Sequence, residues 1–405
     1  MSSILKQTAT SPQLVTPEMF AGQFAHTTAQ EASFKAKAST PEGGSCPLTA
    51  ANFVMPNLGV LDQFIANDAV NDILVNGTQS IYIDSQGRLT DSGVRFETDA
   101  ETWDVAERIM ASVGLFWVPE RPIIDTRLPD GSRVNIVGPP IAVDGVSISI
   151  RKFPKQHVTL DRMAEGGQLS QELAVFLKEC ARMRVNIVIA GGTSTGKTTL
   201  LNALSAAIPE DERIVTVEDS AELRLQQPHV VRLESKPSRV TDEKNIPEVS
   251  TRDLIKNALR MRPDRIIVGE SRGPEAFDVL QAMNTGHDGS MTTLHANSSR
   301  DALSRLETMV MSAMPTLTSR TVRQHITSAL HLVIQITRQK DGKRSISHVT
   351  EVCGMEGDTV IMQDLVTYIP PTAKGPGEYR WAQGSPRNPM LIEAGRMAGF
   401  MKVLR

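Results

Sequence analysis

Aromatic side chains are scarce. Three tryptophans, three tyrosines and eleven phenylalanines make up 4% of the 405 residues. A chain that threads single-stranded nucleic acid stacks bases on aromatics along a basic groove, whereas here the formal net charge is -3, so direct nucleic-acid binding is not expected. Cysteine is equally sparse: Cys46, Cys180 and Cys353 are isolated and odd in number. They offer neither a disulfide framework nor a Cys-x-x-Cys zinc pair, and they suit a reducing compartment. No apolar run approaches the roughly 20 residues of a membrane span, and the opening MSSILKQTATSPQLV lacks the charged start and apolar stretch of an export signal. Service to a membrane is therefore expected from its cytoplasmic face.

What is present divides into segments. Residues 1–51 are rich in Thr, Ser, Ala and Gln, too poor in apolar material to offset ordering, and read as a flexible tail. Residues 52–152 read as a smaller mixed α/β domain. In it DAVNDILVNG opens like a helix, SIYIDSQGRL is a strand closed by a glycine turn, and ETWDVAERIMASVGL sets Trp103, Ala106, Ile109, Met110 and Val113 at helical spacing. Asp144-Gly145 in IAVDGVSISIRKF is a hairpin signal. Residues 153–170, with Pro154 and Gly166-Gly167, read as a linker and hinge. From 171 to 370, the apolar runs VNIVIA, RIVTVED, HVVRLE, DRIIVGE and GSMTTLHA alternate with helical patterns such as TRDLIKNALRM and PEAFDVLQAM. That alternation predicts an α/β domain with a largely parallel sheet covered on both faces. Residues 371–405 are a Pro/Gly-rich C-terminal extension whose last stretch reads as a docking helix.

One stretch carries the chemistry. Gly191-Gly192-Thr193-Ser194-Thr195-Gly196-Lys197-Thr198 satisfies G-x-x-x-x-G-K-[ST], directly after a strand pattern and before a helical stripe of Leu200, Leu201, Leu204 and Ile208. Glycines let backbone N–H groups turn inward on phosphate oxygens, and the positive end of the helix dipole adds to them. Lys197 is expected at the β- and γ-phosphates of ATP, with the Thr198 hydroxyl on Mg²⁺ and Thr199 following in the cradle. A glycine turn with an accidental lysine is the plainer reading, and the flanking strand and helix argue against it.

Phosphoryl transfer also needs an oriented water and a neutralised metal, and acids at the ends of neighbouring strands can supply both. RIVTVEDSAEL ends in Glu218 and Asp219 with Glu222 nearby, and DRIIVGE ends in Glu270. Gly269-Glu270 stands where a Walker B aspartate is usual. Glu270 is assigned to the water or the Mg²⁺ shell, and Glu218, Asp219 and Glu222 to the metal and water network. His287 and His295 flank the strand in TGHDGSMTTLHAN. By themselves they read either as sensors of the γ-phosphate or as hydrogen-bonded structural histidines. Arg127, Arg133 and Arg151 lie in DTRLPDGSRVNIV and SISIRKF, and their planar forks suit phosphate if the first domain closes on the nucleotide.

These blocks resemble the secretion-superfamily traffic ATPases, which power type II and type IV secretion and the assembly of type IV and Tad/Flp pili. The resemblance runs from about Asp68 to Tyr368 through GGTSTGKTT, an acidic box RIVTVEDSAELRLQQPHVVRLE, an atypical Walker B in ALRMRPDRIIVGESRGPEAFDVLQAM and a histidine box NTGHDGSMTTLHANSSRDALSRLETMV. Within it the Tad-type pilus ATPases come first and the conjugation and type IV secretion ATPases next. The resemblance implies a RecA-like P-loop domain behind a smaller N-terminal domain, a homo-hexamer, and peripheral association with inner-membrane platform proteins. It also implies Glu270 as the catalytic glutamate, Glu218 and Glu222 near the metal, His287 and His295 as the histidine-box pair, and nucleotide-facing arginines from the region of Arg127, Arg133 and Arg151. Ser271 departs from the family pattern, which favours a larger apolar residue or arginine there. A RecA-like nucleic-acid motor would use the same loop, but the low aromatic content weighs against it. A non-hydrolysing scaffold would not need Glu270.

Overall fold

The structure is a computed structural model that describes residues 55–85, 88–153, 158–236, 239–240, 245–339, 342–371 and 377–399. The flexible-tail assignment, Cys46, Pro154 and the turn at 86–87 lie outside the described residues. Two sheets organise the rest. The first begins after a 3-10 turn (Gly59–Leu61) and helix α1 (Asp62–Ala66), and comprises β1 (Val70–Asn76), β2 (Ser80–Ser85), β3 (Arg88–Asp91), β4 (Ile123–Arg127), β5 (Arg133–Val137) and β6 (Ser147–Arg151). It is antiparallel throughout, in the order β3-β2-β1-β6-β5-β4. Helix α2 (Asp99–Ser112), capped by the Thr98 hydroxyl, buries Val105, Ala106, Ile109 and Met110.

Two expectations for this part are corrected. DAVNDILVNG is strand β1, not a helical opening. A register shift between Val70 and Asp72 turns Val70 and Ile73, three residues apart, into buried positions of one strand, and that spacing imitates a helix. Asp144-Gly145 does lie in the connection between the antiparallel neighbours β5 and β6, but as part of a longer loop from Val137 to Ser147 and not as a tight two-residue turn. The turn instead packs on the β1–β2 corner: a Cβ on Gly77 would lie 2.3 Å from the Asp144 carbonyl oxygen.

Beyond α3 (Leu160–Glu165) and α4 (Gln171–Arg182) comes the larger sheet. It contains β7 (Ile187–Gly191), β8 (Ile214–Glu218), β9 (Val230–Glu234), β12 (Arg265–Val268), β13 (Met291–His295) and β14 (Leu332–Arg338), all mutually parallel where they pair. A two-residue ribbon, β10 (Arg239–Val240) with β11 (Asn245–Ile246), separates β9 from β12 in sequence. Helices α5 (Lys197–Ser205), α6 (Thr251–Ala258), α7 (Glu275–Asn284), α8 (Ser299–Ala313) and α9 (Ser319–Ala329) cover both faces. One core layer gathers Phe176, Leu200, Leu204 and Ile189, the other Val188, Ile255, Leu280 and Leu306. The central strands are buried on both sides, which explains their unbroken apolar runs.

The parallel expectation holds for this central part. The sheet continues, however, through antiparallel β15 (Arg344–Glu356), β16 (Thr359–Ile369) and β17 (Glu378–Trp381), giving the order β17-β16-β15-β14-β7-β13-β12-β8-β9. Helix α10 (Pro389–Met397) follows, and Leu391 and Ala394 sit in the same core layer as Phe176 of α4. The fully buried Glu351 carboxylate accepts from the backbone N–H groups of Arg387 and Asn388 at 2.6–3.1 Å and so fixes the approach to α10.

Candidate active site

The register of the parallel strands builds the site. Gly191 pairs with His295, Val217 with Val268, and Glu218 with Glu234, so the C-terminal ends of β7, β13, β12, β8 and β9 emerge along one edge of the sheet. The loop leaving β7 turns at Ser194 (φ 57°) and Gly196 (φ 100°) and opens directly into α5. A left-handed serine is unusual outside functional loops. At Gly191 a Cβ would stand 2.6 Å from the Ile336 carbonyl oxygen, so the close strand packing beneath the loop requires glycine.

Lys197 lies buried at the start of α5. Its ammonium donates to the Gly192 carbonyl at 2.9 Å and stands 3.3 Å from His295 Nδ1. His295 Nε2 in turn lies 2.9 Å from Glu270 Oε1. Burial holds the Lys197 ammonium below its ordinary value, against the pull of Glu270. Burial, and then the Lys197 charge, likewise lowers His295, which keeps its imidazole neutral near pH 7. Arg272 donates to the other Glu270 oxygen at 2.6 Å and reaches Asp219 at 3.6 Å. Lysine, histidine, glutamate and arginine thus form one chain of contacts.

Glu218 supplies the acid that the second core strand omits. One carboxylate oxygen accepts from the N–H groups of Glu222 and Leu223 at 2.8 and 3.0 Å, and the other is buried without a hydrogen-bond partner. Burial pushes its carboxyl up to about 7. A Cβ at position 269 would come within 2.9 Å of Glu218 Cγ, which explains why glycine and not aspartate directly follows β12. Thr198, Glu218, Asp219, Glu222 and Glu270 line a small pocket of about 50 Å³. Mg²⁺ in nucleotide sites takes one or two carboxylates beside phosphate oxygens and water. The unpartnered Glu218 oxygen beside Thr198 fits such an ion. Among the described residues no group of three or more His, Cys, Asp and Glu forms a dedicated metal cage.

The first sheet faces this edge across a cleft of about 950 Å³. Arg127 pairs with Arg133 across β4 and β5, and Arg133 with Arg151 across β5 and β6, so the three sequence-predicted arginines stand side by side on one face. Arg127 reaches Glu234 at 2.9 Å and the Ser220 hydroxyl, and Arg133 reaches Glu222 at 3.0 Å. Arg151 is held by Asp72 of its own sheet at 2.9 Å.

The structure therefore brings Lys197, Thr198, Glu218, Asp219, Glu222, Glu270, His295, Arg127 and Arg133 to one place. It does not bring His287 there. That residue lies four positions before β13, at the opposite end of a strand whose five residues span about 16 Å. Its loop is fastened by Asn186, whose side-chain oxygen accepts from Gly289 and Ser290, so within one copy the two histidines stand apart. Sequence reasoning missed Arg272, Glu234, and Thr251, whose hydroxyl donates to Asp219 at 2.5 Å. Signals existed for two of them: Arg272 follows Glu270 by two residues, and Glu234 ends an apolar strand just as Glu218 does.

A family model described as Type II/IV secretion system protein matches residues 56–362. A Mycobacterium tuberculosis protein, named provisionally for conjugal transfer, is 33% identical over 305 residues, which is 74% of this chain and 85% of that one. The type IV secretion system protein PtlH of Bordetella pertussis is 34% identical over 312 residues, covering 70% of this chain and 90% of its own. Among solved structures, the Yersinia pseudotuberculosis ATPase DotB shares the fold with a TM-score of 0.54 at 20% identity, over 74% of this chain and 78% of that one.

Proposed function

The chain belongs to the type II/IV secretion system protein family and is an ATP hydrolase, and from that premise we propose that it drives macromolecular transfer through a type IV secretion or conjugation machine. In this reading it works as a ring of six copies at the cytoplasmic face of the inner membrane, against platform proteins of that machine. The relatives named for conjugal transfer and type IV secretion support transfer over the Tad-type pilus assembly that the sequence blocks place first. Assembly of a pilus by the same motor is the alternative.

The observation that carries the hydrolytic roles is the contact chain Lys197–His295–Glu270–Arg272 at the end of the phosphate loop. Lys197 and the inward N–H groups of residues 192–197 bind the β- and γ-phosphates. Glu270 accepts the proton of the attacking water, held in place by Arg272 on one side and His295 on the other. Neutral His295 accepts from Lys197 through Nδ1, and its Nε2 approaches to 2.9 Å the Glu270 Oε1 that makes no hydrogen bond among the described residues. Thr198 and Glu218 would hold Mg²⁺, which supplies charge neutralisation at the phosphates. Arg127 and Arg133 bring the first sheet to the same acids, so its position can follow the nucleotide.

Phosphate release by the purified chain tests these roles. Lys197→Ala should abolish turnover, and Glu270→Gln should retain ATP binding while slowing turnover on the order of 10²- to 10⁴-fold. A Glu270→Gln protein that hydrolyses at the parent rate would remove Glu270 from the mechanism.

A further inference from the structure

A second cavity, of about 310 Å³, opens between the end of β13 and α8, walled by Arg272, Leu294, His295, Arg305, Thr308 and Met309. Its inner wall belongs to the hydrolytic centre already described, because His295 stands 3.3 Å from the Lys197 ammonium and Arg272 holds Glu270 at 2.6 Å. Its outer wall comes from α8, where Arg305 donates one N–H to the His295 carbonyl at 2.8 Å. The nearest acid to Arg305 is Asp301, at a long 3.9 Å, and both side chains are well exposed, so little of the guanidinium charge is neutralised.

The two exits from the site differ in charge. The pocket toward the first sheet is lined by four carboxylates, Glu218, Asp219, Glu222 and Glu270, and by only two guanidiniums, Arg133 and Arg272, each paired with one of those acids. The cavity at α8 has two guanidinium groups and no carboxylate among its lining residues. Hydrolysis adds water across the terminal phosphoanhydride bond and leaves ADP and inorganic phosphate, the latter a small anion released beside Lys197. The surplus of carboxylates repels it on one side, and the weakly paired planar fork of Arg305 attracts it on the other.

We infer that the α8 cavity is an exit subsite for inorganic phosphate, with Arg272 as its inner and Arg305 as its outer anchor. The inference rests on the hydrolase reading and extends it: the product anion leaves past His295 and Arg305, away from the acids that serve the metal and the water. Thr308 lies in the wall with its hydroxyl bound only to the Ser304 carbonyl of its own helix, so a charge placed there enters the cavity without breaking a tertiary bond.

The test is product inhibition of the full chain. Steady-state ADP formation is followed while inorganic phosphate is added to the parent, to Arg305→Gln and to Thr308→Asp. Losing a charge-assisted contact, or facing a new negative charge, should raise the phosphate inhibition constant on the order of tenfold in both variants. ATP hydrolysis without added phosphate continues in Thr308→Asp. Should Arg305→Gln disturb His295 and lose activity, Thr308→Asp decides alone. An inhibition constant in Thr308→Asp equal to the parent value overturns the assignment. A parent chain that forms no ADP would instead remove the hydrolase reading, which is a separate result.

Discussion

Glu218 shows how a single residue links the fold to the chemistry. Its carboxyl is buried with one oxygen unpartnered and is pushed up to about 7, so the folded chain binds its proton more tightly than the unfolded chain does. The protonated form therefore favours folding fully below the ordinary value of 4.5, and this contribution is lost as pH rises to about 7. Glu218→Gln cannot titrate. Its stability relative to the parent should accordingly rise by about 3 kcal/mol between pH 4.5 and pH 8, read by denaturant unfolding without nucleotide. Identical pH profiles for the two proteins would show that the carboxylate is not desolvated. At this scale the sequence made Lys197 and Thr198 legible because a loop motif has fixed spacing. His287 and His295 are equally plain in sequence, yet whether a strand separates two side chains or presents both depends on which of its ends faces the site. Arg305 gave no signal, being one charge on an amphipathic helix.

At the scale of the element, the end of β12 and the end of β8 are fitted to each other. Gly269 makes room for the Glu218 side chain, so Gly269→Ala should overpack the strand ends and cost about 1–3 kcal/mol. Shortening Glu218 to alanine removes the Cγ that lies 2.9 Å from the added methyl group. The double variant Gly269→Ala/Glu218→Ala should therefore be more stable than the sum of the single changes by at least about 0.5 kcal/mol, measured in one unfolding series. Full additivity would deny the contact. The buried parallel strands were legible as elements because both faces demand apolar residues. Strand β1 was not, since its bulge imitates helical spacing, and the antiparallel edge β15 to β17 was hidden because its faces are mixed.

The whole molecule sets two sheets against each other, and the strand-helix alternation announced the larger one well before any contact was known. Which edge of the smaller sheet meets it could not be read, because that depends on contacts such as the hydrogen bonds that Arg127 and Arg133 donate to Ser220, about 90 positions away. A motor of this family is proposed to act as six copies. Mass measurement with Mg²⁺ and a non-hydrolysable ATP analogue should give six times the chain mass, and a strict monomer under those conditions would contradict the ring.

The row Arg127–Arg133–Arg151 holds three cations one strand spacing apart, about 4.8 Å. Such neighbours repel, and each is quieted by a carboxylate: Glu234, Glu222 and Asp72. Two of those acids come from the opposite side, Glu234 from β9 and Glu222 from the loop after β8, so a nucleotide whose oxygens displaced them would release acids and arginines together. The conformational stroke would then be a swap of counterions, limited in travel to the reach of a guanidinium and tunable by ionic strength.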